Sequence, residues 1–221
     1  MEIDPIRKKI EQYLSLGKRL FCTSSFQTHS VVLLHLISRI DRKIPVYFLN
    51  TGYHFAETLV YRDNIAGLLG LQVHNLNPLV PKIMQRNEEG NLLFTTRPDY
   101  CCYLNKVQPV DTLLKQFDVW INGVRAEQTI FRGTLQEEQV VRENVIRYHP
   151  VLHWTSSMIE SYLKKFKLPR HPLEATGYSS IGCEPCTRPA VANQIRSGRW
   201  YGQNKEECGL NDEMGEKGIK E

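Results

Sequence analysis

Three short strand-like stretches, at residues 19–23, 45–49 and 71–76, alternate with longer stretches whose apolar residues recur at helical spacing, and this alternation most constrains the fold. Each run is too short for a helix and carries the aromatic and aliphatic side chains that suit a strand. Residues 31–40 read as a buried helix, and residues 55–69 as a second. Strand, helix, strand, helix, strand predicts an α/β fold, because parallel neighbours need a crossover long enough to return the chain to the same edge. Upstream, Asp4 and Pro5 open a helix with Ile6, Ile10, Tyr13 and Leu14 along one side; Asp4 is expected as its N-cap and Gly17 as its end. Downstream, 99–115 reads as helical, 119–122 as a strand and 140–148 as a further strand. Thr155 caps a helix running to about Lys165, with Ile159, Tyr162, Leu163 and Phe166 on its apolar side. From Pro169 onward the chain is irregular, and beyond Gly209 its charged, apolar-poor composition predicts disorder.

Ligands of such sheets sit beyond the carboxyl ends of the strands, so the segments at 24–30, 50–54 and 123–128 are expected to face one crevice. The first of them, with Ser24 and Ser25, passes from a strand into a helix N-terminus, where backbone N–H groups and hydroxyls can cradle a phosphate. It contains no glycine and is not a Walker loop. Cys22, inside the preceding strand, reads as a small buried hydrophobe.

A chain of 221 residues with 41% hydrophobic content can bury one good core and still carry a tail. No apolar run approaches the roughly 18–20 residues of a membrane span, and the opening residues carry no basic-then-apolar leader, so no membrane is expected and the location is expected to be cytoplasmic. The net charge is only +4. Basic residues cluster between Arg188 and Lys205, which suits a small phosphate-bearing molecule better than a nucleic acid; a zinc-bound RNA module is the weaker alternative.

Five of the six cysteines divide into a set of four and a solitary fifth. The set is Cys101, Cys102, Cys183 and Cys186, and in a reducing compartment clustered thiols point to metal or catalysis rather than disulfides. Adjacent cysteines on a helix diverge by about 100°, which a cluster with iron at several corners tolerates better than one zinc ion does. Four thiolates around such a cluster leave net negative charge, and Lys106 is placed to offset it, although a lysine read without its neighbours would simply be solvated. Cys208 follows acidic residues on an apolar-poor segment and reads as an accessible nucleophile. Its acidic neighbours would raise its pKa in a loose tail, so activation requires basic partners met on docking; Arg196 and Arg199 are the candidates.

In order along the chain, Cys101-Cys102 with Lys106, residues 181–189 (Ile-Gly-Cys-Glu-Pro-Cys-Thr-Arg-Pro), Gly198-Arg199-Trp200 and Glu207-Cys208-Gly209-Leu210 resemble the iron-sulfur adenylyl-sulfate (APS) reductases of the sulfonucleotide reductase family. Residues 49–52 and 120–125 extend the resemblance, which covers residues 20–211. It implies an adenine nucleotide α-hydrolase-like fold, with a mostly parallel twisted sheet flanked by helices and an irregular cysteine-bearing tail. Residues 1–190 would form the nucleotide-binding domain with the iron-sulfur site, and 191–221 a mobile tail carrying the catalytic cysteine. It further implies reduction of APS to sulfite and AMP, with Cys208 as nucleophile and an S-sulfocysteine intermediate resolved by thioredoxin or glutaredoxin. A [4Fe-4S] cluster would be held by Cys101, Cys102, Cys183 and Cys186, with Lys106 between cluster and substrate. Arg196 and Arg199 would hold phosphate and sulfate, Ser24 and Ser25 would belong to the phosphate loop, and Arg125 to the same substrate site. A homo-oligomer is implied as well.

Two departures stand out: Asn211 where the family has histidine, and the missing glycine in the phosphate loop. The alternatives are a reductase of the 3′-phosphorylated substrate PAPS, against which the cluster cysteines argue by resemblance, and an ATP-dependent adenylating enzyme with structural zinc.

Overall fold

The structure, a computed structural model, describes residues 3–191, 196–200, 205 and 207–212. Six strands form one sheet in the order β3-β2-β1-β4-β6-β5, with β1 Leu20–Thr23, β2 Val46–Leu49, β3 Val73–Leu76, β4 Val119–Asn122, β5 Glu138–Val140 and β6 Ile146–Tyr148. All pairs are parallel except β5 with β6, where a link of five residues cannot return the chain and forces an antiparallel edge. Residues 140–148, expected as one strand, therefore form the end of a hairpin whose turn holds Glu143 and Asn144 at φ 57°.

One apolar layer packs α1 (Asp4–Ser15), α2 (Thr28–Ile40), α3 (Ala56–Leu69) and α8 (Ser156–Lys165) against the sheet through Ile10, Leu34, Val46, Ile65 and Ile159. On the opposite face Val107, Val110 and Leu113 cover Phe21 and Trp120. A third, small cluster lies away from the sheet and gathers Tyr53, Leu93 of α4 (Leu93–Thr96), Cys101 and Leu104.

Several local expectations shift by a residue or more. Helix α1 starts at Asp4 itself, with Ile3 ahead of it and no side-chain cap, while Gly17 adopts φ 68° beyond its end. Helix α2 starts at Thr28, not Val31, which shortens the phosphate-loop candidate to residues 24–27. The 99–115 helix is interrupted: α5 (Pro98–Cys102) passes into a π-helical turn, Tyr103–Val107, and then into α6 (Gln108–Leu114). A π turn adds a residue to one loop of the helix and re-aims the side chains within it, here including Lys106. Thr155 caps α8 as expected, its Oγ1 accepting from the Met158 N–H at 3.2 Å. Residues 209–212, expected to be disordered, form the helical turn α9 (Gly209–Asp212); the remainder of that segment lies outside the described residues. Among the described residues no helix is long and apolar enough to cross a membrane.

The strand order reverses beside β1, between β2 and β4, so a crevice opens at their carboxyl ends. The missing glycine has a replacement there. Phe26 takes the left-handed conformation, φ 52°, and its ring is fully buried edge-on to Phe48 at 5.8 Å. Burial of a phenylalanine offsets the roughly 1–2 kcal/mol that this backbone costs a non-glycine residue. Phe26→Gly is expected to relieve that strain yet forfeit about 3–5 kcal/mol of packing, a net loss of about 1–4 kcal/mol in urea denaturation. A stability gain would mean that the ring contributes little.

Candidate active site

The crevice is a cavity of about 300 Å3, within the range of small-molecule sites. Ser24, Ser25, Arg125, Lys106, Arg196, Arg199 and Cys208 all line it, so the structure brings every predicted substrate-binding residue and the predicted nucleophile to one place. The Ser24 hydroxyl accepts from the Phe26 N–H at 3.1 Å and thereby closes the loop turn, while Ser25 and Ser30 share a hydroxyl contact at 3.0 Å.

Arg125 follows β4 and is buried. Its Nη1 donates to Glu127, to the Trp154 carbonyl at 3.3 Å and to the Ser156 hydroxyl at 3.3 Å, and its Nη2 meets His29 Nδ1 at 3.3 Å. Burial pulls its pKa below the usual guanidinium range, and Glu127 works in the opposite direction. Arg199 lies over the Trp200 ring at 4.4 Å and donates to the Ser180 hydroxyl at 3.4 Å; burial lowers its pKa too. For both residues Nε is buried without a hydrogen-bond partner among the described residues. A buried unsatisfied donor on a cation costs more than one kcal/mol, of order 1–3, unless an acceptor arrives, and the cavity is where an anionic acceptor can arrive. Arg196 stands over Trp200 at 5.4 Å, its pKa lowered to about 10 by burial and then by Arg132 and Arg199.

Behind this cavity lies a smaller one lined by Cys101, Cys102, Cys183 and Cys186 together with Lys106 and Tyr53. All four are free thiols. The Thr51 hydroxyl is 3.4 Å from Cys183 Sγ, Asn105 Nδ2 is 3.5 Å from Cys101 Sγ, and the buried Tyr53 hydroxyl has no partner among the described residues. Burial, then Cys183, pushes the Cys101 thiol up to about 11. Among the described residues no three His, Cys, Asp or Glu side chains are grouped to hold a single metal ion. Four thiols around one hollow, with donors aimed at them, nevertheless form a donor set that fits an iron-sulfur cluster, in which different sulfurs bind different irons.

Lys106 lines both cavities. Burial works against its ammonium, but Cys183, Cys208 and Cys102 outweigh this and hold its pKa well above the ordinary lysine range. It is therefore not the solvated helix lysine that sequence alone would assume. Cys208 is half-buried, not openly accessible. It is held well below the usual thiol range by a hydrogen bond from the Cys102 thiol, followed by Lys106 and the Leu210 backbone N–H, against the effect of burial. Cys102 is pushed up by that same bond. Asn211 lies in α9, and its side chain is outside the described residues.

The sequence reading missed the residues that support these groups. Thr51, Tyr53 and Asn105 surround the cysteine cavity, and His29, Gln128 and Arg132 surround Arg125 and the tail. His29, Thr51, Tyr53 and Gln128 lie in the segments expected to face the crevice, but the sequence assigns them no role there, and Asn105 and Arg132 carry no signal.

Residues 19–189 match the phosphoadenosine phosphosulfate reductase domain. The chain belongs to this family. An adenosine 5′-phosphosulfate reductase of Chelativorans sp. (strain BNC1) is 39% identical over 190 residues, covering 85% of this chain and 76% of that one. A phosphoadenosine 5′-phosphosulfate reductase of Gloeobacter violaceus is 36% identical over 199 residues, covering 88% and 83%. Among solved structures, the phosphoadenylyl-sulfate (PAPS) reductase of Candida auris superposes with a TM-score of 0.64 at 23% identity, covering 82% of this chain and 93% of that one. The FMN adenylyltransferase of Candida glabrata does so with a TM-score of 0.58 at 18% identity, covering 81% and 61%. The fold is the expected adenine nucleotide α-hydrolase-like one.

Gly182 lets Arg199 reach its seat, since a Cβ there would collide with the guanidinium. Gly182→Ala is expected to displace Arg199 and weaken binding of inorganic sulfate about tenfold or more by titration calorimetry, with circular dichroism unchanged. Unaltered affinity would remove Arg199 from the anion site.

Proposed function

We propose that the protein reduces adenylyl sulfate to sulfite and AMP in assimilatory sulfate reduction, through a covalent intermediate on Cys208. One observation carries this reading: Cys208 stands in a cation-lined cavity directly beside the four-cysteine hollow, with Lys106 shared between them. The relatives named as APS reductases support it.

The Cys208 thiolate attacks the sulfur of the sulfate group, forming an S–S bond while the bond from that sulfur to the bridging oxygen breaks and its electron pair leaves with AMP. Arg125 and Arg199, with their open Nε donors, meet charge on the phosphate and sulfate, and Arg196 and Lys106 add to the same field. Ser24 and Ser25 contribute the polar edge of the loop beneath the phosphate. A dithiol such as thioredoxin or glutaredoxin then attacks Cys208 Sγ, expels sulfite with the S–S electron pair, and its second thiol frees Cys208 as the dithiol closes to a disulfide. The sulfate sulfur gains two electrons in becoming sulfite, and the dithiol supplies them as it is oxidised to a disulfide.

Cys101, Cys102, Cys183 and Cys186 would hold a [4Fe-4S] cluster, which when bound supplies electrostatic and structural support and not the reducing electrons. Tail residues 191–221 act on this reading as a unit that presents Cys208 to the domain formed by 1–190.

Incubation of anaerobically purified protein with APS and no reductant is expected to add one SO3 group, mapped to Cys208 by mass spectrometry, and Cys208→Ser is expected to take up none. Faster turnover of PAPS than of APS would move the assignment to the 3′-phosphorylated substrate. Cys183→Ser is expected to lose protein-bound iron and acid-labile sulfide together with the brown absorbance; retention of all three would exclude it as a ligand.

A further inference from the structure

Arg132 lines the cavity, but its side-chain nitrogens are engaged by protein acceptors and not left open as are the Nε atoms of Arg125 and Arg199. Its Nε and Nη2 donate to the two carboxylate oxygens of Glu207 at 2.9 and 2.8 Å, a bidentate pair with Glu207 only 3% exposed. The Thr129 hydroxyl donates to the same carboxylate and also accepts from the Arg132 N–H at 3.2 Å, which caps the short helix α7 (Ile130–Gly133) and pins the arginine. Arg132 Nη1 donates to Gln128 Oε1, and that oxygen also accepts from the backbone N–H of Arg125 at 3.4 Å.

Glu207 directly precedes Cys208, so whatever fixes the carboxylate fixes the nucleophile to within one peptide unit, about 3.8 Å. Among the described residues the segment has further polar contacts, a hydrogen bond from the Cys102 thiol to Cys208 and a pair between Lys205 and Asp99; in the latter the lysine is 8% exposed but the carboxylate is 78% exposed, so water screens it. By contrast, a buried, hydrogen-bonded pair is costly to break, since the remaining charge is stranded. Leu210 adds only a partly buried apolar contact with the Trp120 cluster.

We propose that Arg132 is a positioning residue that latches the tail through Glu207, seating Cys208 against the cavity and, through the shared Gln128 oxygen, linking that seat to the Arg125 loop. This rests on the reductase reading for its purpose, but the latch itself can be tested without it.

Arg132→Met, Glu207→Gln and the double variant are compared in full-length, cluster-loaded protein under anaerobic conditions. With no substrate present, iodoacetamide should alkylate Cys208 about tenfold or more faster in each single variant than in the wild type, and no faster again in the double variant, because both substitutions break one interaction. In turnover with APS, kcat should fall about tenfold or more while KM stays within about twofold, and iron content should not change. Unchanged alkylation in Glu207→Gln, or single-variant effects that multiply in the double variant, would overturn the latch. Glu207→Gln alters only the tail, so it decides the matter even if Arg132→Met does not fold. Should the wild type take up no SO3 from APS, the reductase reading fails, while the alkylation comparison still decides whether Arg132 docks the tail.

Discussion

Positive charge held out of water at the carboxyl edge of a parallel sheet is the constraint around which this molecule is arranged. Lys106, Arg125, Arg132, Arg196 and Arg199 converge on one cavity, and burial lowers the pKa of Arg125, Arg196 and Arg199. Such a concentration of cations is tolerable only with counter-charge close by. Glu127 and Glu207 supply part of it, and a Cys208 thiolate supplies more. The open Nε donors of Arg125 and Arg199 leave room for an anionic ligand to complete the balance.

This arrangement also explains how an acidic tail can carry a nucleophile. A carboxylate beside a thiol disfavours the thiolate, and the notional loose tail would suffer from Glu207. Docked, Glu207 is engaged by Arg132 and Thr129, and Cys208 meets the cations Lys106 and Arg199 instead. The same two cavities that share Lys106 thus join the proposed cluster site, the proposed substrate site and the tail into one electrostatic unit.

Much of this was legible in the residues. Short strand-like stretches and helical spacing predicted β1, β2, β3 and β4 and the helices between them; β1 and β4 are the most apolar because they are buried on both faces, whereas β3 at the edge keeps His74 and Asn75 exposed. Less legible was the left-handed turn at Phe26, since its conformational cost is met by packing against Phe48, a contact that no local pattern announces. The π turn at Tyr103–Val107 was equally hidden: its residues read as ordinary helix, and the re-aiming of Lys106 appears only once both cavities exist.

The sequence by itself determined the α/β class, the grouping of four cysteines against one, and the residue types available for an anionic ligand. Each of these depends on composition and spacing along the chain. Tertiary structure alone decided that Cys208 docks beside Cys102, that Arg132 grips Glu207 across 75 residues, and that Gly182 makes space for Arg199. Those relations depend on distances through space, set by how the sheet order turns at β1 and brings distant loops to a single edge.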